Sequence, residues 1–240
     1  MYPDIFVLGI SLPRLFLILG VVVSILSGAF LARKFGISVK LGMLIILINN
    51  FGVLAGSKIL FLLNNLSSVQ NGIEVGGLLL YGGILFHPIY MYCVSNFFKV
   101  ERKTFFDFST PPFILGVAIY RIGCFCGGCC CGIPADWGFA MAHSPEVLRV
   151  PTQLIELVFD VGIFVMLLIV ERKNWFNGTK GILYPIFMVS YGVIRFVIEF
   201  FRVRDVLLWG MSQAHFLSLL SIAIGIIWIY FKTKKQKQQG

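Results

Sequence analysis

Seven times along its 240 residues the chain runs through about 20 mostly apolar positions, and no other feature constrains its fold as tightly. The stretches lie at 11–31, 41–63, 76–98, 108–130, 153–171, 180–201 and 211–231, each long enough to cross about 30 Å of hydrocarbon. With 58% hydrophobic and only 13% charged residues, the chain falls well below the roughly 25% charge of a soluble domain. The reading is an all-α, polytopic membrane bundle of seven transmembrane helices. The first stretch does not read as a cleaved signal peptide, because Arg33 and Lys34 follow it where small residues would mark a cleavage site.

Basic residues set the expected orientation. Arg33, Lys34 and Lys40 follow the first stretch, Lys99, Arg102 and Lys103 the third, and Arg172, Lys173 and Lys180 the fifth, while Lys232, Lys234, Lys235 and Lys237 form the tail. Alternate connections thus hold most of the 20 Lys and Arg, which by the positive-inside rule makes them cytoplasmic and the N-terminus external. The net charge of +9 is accounted for by this topology; no aromatic or glycine-rich nucleic-acid module accompanies it, so no nucleic-acid partner is expected. Without linker, low-complexity segment or repeat, residues 1–240 read as a single domain. The longest connection, Cys131 to Pro151, is expected outside, with Trp137, His143, Glu146 and Arg149 at the interface.

Against this apolar background, charged residues inside the stretches point to function. In the sixth, Tyr191, Arg195, Glu199 and Arg202 fall at roughly 0°, 40°, 80° and 20° around a helix, so they share one narrow face. A lone charge at the bilayer centre costs about 2.5–3.5 kcal/mol on insertion scales, so such a face is expected to line a protein cavity. The alternative is an interhelical ion pair that only holds the bundle together. A second cluster, Tyr120 to Gly132, adds Arg121, and a third places Gly76 and Gly77 near Tyr81, Gly82 and Gly83. Glycines at that density permit broken helix or close backbone approach at membrane depth, or simply tight helix packing. Three arginines converging from two helices suit an anion held at the interface, and a lipid phosphate fits because guanidinium grips its oxygens in a fork. Lys58 either snorkels outward or joins that anion site.

Five of the six cysteines lie between Cys124 and Cys131. Packing or a disulfide, thiol chemistry, and metal binding by thiolates all remain open for them; no metal or cofactor is expected. His87 and His215 are each either a hydrogen-bonded structural partner or a base.

At these residues the chain resembles the prolipoprotein diacylglyceryl transferase family, seven-span enzymes that move diacylglyceryl from phosphatidylglycerol to the lipobox cysteine of bacterial prolipoproteins. Tyr191-Gly192, Arg195-Phe196, Glu199 and Arg202 are similar to its Y-G-x-x-R-F-x-x-E-x-x-R segment. Arg121-Ile122-Gly123 with Gly132 is similar to its R-I-x-N-F-x-N-G-E-x-x-G loop, and Trp137-Gly138 and Pro151 to Glu156 to its W-G and P-x-Q-L-x-E segments. The resemblance implies that Arg121, Arg195 and Arg202 cradle the head group, that Glu199 orients an arginine, and that Tyr191 hydrogen-bonds lipid or peptide. It also places Gly82, Gly83, Cys124, Cys129 and His215 at the substrate. The chain departs from the family at four of these positions: Tyr81 stands where the family has its catalytic His, Cys124 and Cys129 where it has Asn and Glu, and His215 where it has Gln. Tyr81 is then the residue expected nearest the reacting bond.

The expected partners are phosphatidylglycerol, a prolipoprotein signal peptide with its lipobox cysteine, and surrounding membrane lipids, in the bacterial inner membrane. The alternatives are a paralogue serving another acceptor, a thiol or redox protein built on Cys124 to Cys131, and a lipid-binding protein without turnover.

Overall fold

The structure is a computed structural model that describes residues 6–7, 9–65, 80–141, 144–203 and 208–238. Gly76, Gly77, His143 and the start of the third apolar stretch lie outside the described residues. Within them the protein is all-α: α1 (Leu12–Ala32), α2 (Val39–Asn64), α3 (Leu80–Phe98), α4 (Arg102–Cys126), α5 (Thr152–Arg172), α6 (Leu183–Glu199) and α7 (Gln213–Lys237). Two antiparallel hairpins accompany them, β1 (Phe6–Val7) with β2 (Ile10–Ser11) and β3 (Pro134–Met141) with β4 (Ser144–Arg149).

Five helices, α1, α2, α4, α5 and α7, are long and apolar enough to cross a membrane, and the chain is a membrane protein. The other two carry much of the polar chemistry: α3 holds Tyr81 and His87, and α6, only 17 residues long, holds Arg195 and Glu199. The bundle is apolar outside, and inside it polar and charged residues are embedded in an apolar core. Phe30, Phe51, Ile89, Phe97 and Val158 are exposed, while Asn49, His87, Arg121, Gln153, Glu156 and Asp160 are buried. An apolar exterior with its ionisable residues sheltered inside is what lipid as solvent requires.

α4 is central. It touches α1, α2, α3, α5 and α6, and its middle is buried almost continuously from Phe105 to Ala118. Its contact with α1 depends on two small residues: a Cβ at Gly20 would stand 2.6 Å from the Gly116 carbonyl oxygen, and one at Gly116 3.0 Å from that of Gly20. Near the start of α4, Asp107 accepts hydrogen bonds from the backbone amides of Gly181 (2.5 Å) and Leu183 (2.9 Å), so it fixes the α6 N-terminus.

The basic connections gather at one end of the bundle. Lys34 pairs with Glu171, Lys180 with Glu101 at 2.9 Å, and Lys232 donates to the Lys180 carbonyl at 2.9 Å. At the other end the sixth stretch stops sooner than its apolar length predicts. After Glu199 the chain tightens into i→i+3 bonds, Phe201 N–H to Ile198 O at 2.9 Å and Arg202 N–H to Glu199 O at 3.3 Å. Arg202 therefore lies beyond the helix rather than on its face, where it bridges Gly132 in an antiparallel pair. The connection from Cys131 to Pro151 contains the irregular antiparallel pair β3–β4, with Trp137, Phe139 and Leu148 exposed.

Candidate active site

The arginines that the sequence singles out do converge, and what they converge on is a residue of α5. Glu156, one turn into that helix, takes Arg121 Nη1 at 2.8 Å, Arg195 Nη1 at 3.1 Å and Arg202 Nη1 at 3.4 Å. Glu199 takes Arg195 Nη2 at 2.8 Å and Arg202 Nε at 3.8 Å, and Asp160 stands 3.6 Å from Arg121 Nε. Three guanidiniums thus face three carboxylates, all largely buried, and the cluster is neutral when every member is ionised. Neutrality matters because an unpaired buried ion carries a penalty of several kcal/mol, which close opposite charges offset in part; Arg121 Nε and Asp160 Oδ2 face each other as an ion pair without a hydrogen bond.

Neighbouring elements hold each member in place. Tyr191 Oη accepts from Arg121 Nη2 at 3.1 Å. Ser212, at the N-cap of α7, donates to Glu199 Oε1 at 2.7 Å, and its own amide donates to His215 Nδ1 at 3.0 Å. Thr152 Oγ1 and Gln153 Nε2, at the start of α5, donate to the carbonyls of Cys130 (2.8 Å) and Cys129 (2.6 Å). The cysteine loop is in turn tied to the segment after α6, with Ile133 N–H to Phe201 O at 2.9 Å and Val203 N–H to Cys131 O at 3.3 Å. The result is a rigid rim around a cavity of about 240 Å³.

That cavity has two chemical halves. Arg121, Arg195 and Arg202 form its polar wall, and Leu17, Val53 and Phe113 are among its apolar lining. Tyr81, Tyr191, Cys124 and Cys130 also face it. The Tyr81 hydroxyl lies 2.5 Å from Ser218 Oγ, and its ring meets Tyr191 edge-on at 6.0 Å.

Several expected site residues sit elsewhere. Gly82 and Gly83 face α2 rather than the cavity: a Cβ at Gly83 would meet Val53 Cγ1 at 2.7 Å and Ser57 Oγ at 2.8 Å, and Gly82 lies directly on the Gly56 backbone. Their smallness serves helix contact. His215 is buried as a helix cap between Phe196 and Phe200, with ring centroids at 5.0 and 4.4 Å. His87 is enclosed with Asn49 (2.8 Å) and stacked on Tyr184 (4.8 Å). Neither histidine lines the cavity. Lys58 lies over the Phe61 ring at 5.2 Å, outside the arginine cluster. All six cysteines are free thiols in this structure. Cys129 is exposed beside Cys124.

Glu156 and Asp160 were not expected at the site, although the sequence carried a signal. Two acids four residues apart inside an apolar stretch share a helix face and need cationic partners, as the arginines do.

Comparison with known proteins decides the family. The prolipoprotein diacylglyceryl transferase family model matches residues 5–231. The chain belongs to that family. Among relatives named phosphatidylglycerol–prolipoprotein diacylglyceryl transferase, that of Dehalococcoides mccartyi is 29% identical over 169 residues, which is 68% of this chain and 64% of the relative. That of Nitrosomonas europaea is 32% identical over 65% of this chain and 58% of the relative. That of Clostridium tetani is 30% identical over 73% of this chain and 74% of the relative. The matched stretch therefore spans less than two thirds of the first two relatives. In this member of the diacylglyceryl transferase family, the arginines of the buried cluster line one side of the cavity.

Proposed function

We propose that the chain, as one domain, transfers diacylglyceryl from phosphatidylglycerol to the lipobox cysteine of a prolipoprotein. The observation that carries this reading is the wall of three guanidiniums beside an apolar cavity. A phosphate held there exchanges with Glu156 for the arginines' forked hydrogen bonds, and the acyl chains continue into the bilayer. The names of the relatives support the same donor and acceptor. The basic connections at one end support seven spans in the bacterial inner membrane, with the N-terminus outside, the C-terminus cytoplasmic and the site toward the outer leaflet.

In the reaction sulfur attacks the glyceryl carbon, the C–O bond to glycerol phosphate breaks as the C–S bond forms, and the proton of the acceptor thiol ends on the released glycerol phosphate. Arg121, Arg195 and Arg202 stabilise the charge that develops on the departing phosphate, and Glu199 with Ser212 orients Arg195. Of Tyr81, His87 and His215, Tyr81 alone lines the cavity, which supports a position for it close to the reacting bond. Tyrosine, with an ordinary pKa near 10, is a weak base at neutral pH. That favours a second reading, in which the same lipid site serves a different acceptor or binds phosphatidylglycerol without turnover.

The test reconstitutes the purified chain in phosphatidylglycerol vesicles with a lipobox peptide and seeks, by mass spectrometry, a diacylglyceryl adduct on the peptide's cysteine. The expected result is an adduct that disappears in Arg195→Ala. A folded chain that retains phosphatidylglycerol and gives no adduct overturns transfer to the lipobox and leaves the second reading.

A further inference from the structure

Three sulfurs, two of them lining the cavity, stand in an arrangement to which the transfer step described above gives no role. The Sγ atoms of Cys124, Cys129 and Cys130 all lie within 4.8 Å of one another. Cys124 is in the last turn of α4, and the chain then reverses through Gly128 (φ 68°) and Cys130 (φ 61°). A left-handed backbone is uncommon for a residue with a Cβ, and here it turns the loop back so that three thiols from one short segment meet. The loop is also fixed from outside the cluster, because Gln153 and Thr152 hold the carbonyls of Cys129 and Cys130 from α5.

We infer that Cys124, Cys129 and Cys130 form a binding site for a thiophilic d10 cation, zinc or copper(I). Three thiolates around such an ion, with metal–sulfur bonds of about 2.3 Å, stand roughly 3.8–4.0 Å apart, so closing the observed trio needs movements below about 1 Å. The donor set is soft and anionic, which selects such ions over magnesium or calcium. Binding releases the three S–H protons as the three metal–sulfur bonds form, with no change of oxidation state. Three thiolates with zinc carry one net negative charge. Arg121 and Arg202, which share the cavity wall with Cys124 and Cys130, face that charge. Cys129 is exposed and gives the ion a way in, while Cys124 is buried. The α5 hydrogen bonds act as the outer support that such sites need to keep their ligands aimed.

The experiment uses the full chain in detergent, reduced and then freed of reductant under anaerobic conditions, and titrates zinc and, separately, copper(I) against chromophoric competitors. One equivalent of at least one ion is expected, with X-ray absorption showing sulfur neighbours at about 2.3 Å. Cys124→Ser, Cys129→Ser and Cys130→Ser should each weaken binding at least tenfold. Cys126→Ser and Cys131→Ser, in the same loop but outside the trio, should retain it. The ion that binds in preference identifies the cation. Failure of the reduced wild-type chain to bind either ion overturns the inference. Binding that survives the triple serine variant, or an absorption spectrum with only nitrogen and oxygen neighbours, does the same. The absorption spectrum is read on the unaltered chain, so a serine variant that fails to fold does not obscure the answer.

Discussion

The two ends of the bundle use the same chemistry, basic side chains on carboxylates, and put it to opposite uses. At the basic end, Lys180 and Glu101 meet at 2.9 Å with side chains 61% and 49% exposed, and water and salt screen the pair. At the cavity end, Arg121 and Glu156 meet at 2.8 Å with side chains 7% and 3% exposed. Distance is nearly identical, so burial makes the difference. An exposed pair can lose a partner to water at small cost, whereas the buried cluster either stays complete or accepts a replacement anion. That requirement fits the cavity end to the anion binding proposed for it and leaves the basic end to hold connections together.

The largest expected effect comes from breaking the buried side at its hub. Glu156→Ala leaves Arg121, Arg195 and Arg202 facing one another, with Glu199 and Asp160 insufficient to balance them. Loss of one partner of a buried pair costs about 3–5 kcal/mol, so unfolding in detergent should move to markedly lower temperature. Adding a short-chain phosphatidylglycerol should recover part of that loss, because the lipid phosphate supplies the missing negative charge. An unchanged unfolding temperature would mean that water reaches the cluster and that the contrast between the ends is false.

Ser212→Ala sharpens the comparison from a smaller distance. The substitution removes the donor to Glu199 and alters the cap of α7, while every charge remains. Removing a Ser N-cap costs about 0.5–2 kcal/mol, and a comparable loss is expected in the same unfolding measurement. In the transfer assay the variant should lower kcat more than it raises KM, since Arg195 loses its aim rather than its charge.

The apolar stretches made the helices legible because lipid demands a strong, length-defined signal, and the same penalty made Arg121 and Arg195 stand out as members of one buried cluster. What stayed hidden depended on contacts across the bundle. Glu156 appeared in the sequence as the end of a motif, and its role as common partner of three arginines follows only from α5 lying against α4 and α6. Gly82 and Gly83 are indistinguishable, as letters, from glycines that admit a ligand; the nearness of the α2 backbone assigns them to packing. The hairpin from Pro134 to Arg149 escaped because its strands are short, irregular and interrupted by register shifts, so no clean alternation marks them.

The smallest expected effect lies at the basic end. Hydrogen bonds from Lys180 and Thr104 hold the Glu101 carboxyl below the usual carboxylate range. A depressed folded-state pKa contributes stability at pH values above the unfolded value, near 4.3, and that contribution is lost as pH falls through the lower folded value. Because both side chains are about half exposed, screening keeps the gain below about 1 kcal/mol. Glu101→Gln should therefore change the unfolding temperature slightly at pH 7, and the gap to the unaltered chain should close as the pH drops below about 4. Raising salt at pH 7 should close it as well, while leaving the much larger gap of Glu156→Ala nearly intact, since mobile ions do not enter the buried cluster. If salt instead erased both gaps alike, burial would not be what separates the two ends, and the cavity would have to be read as an open, solvated cleft.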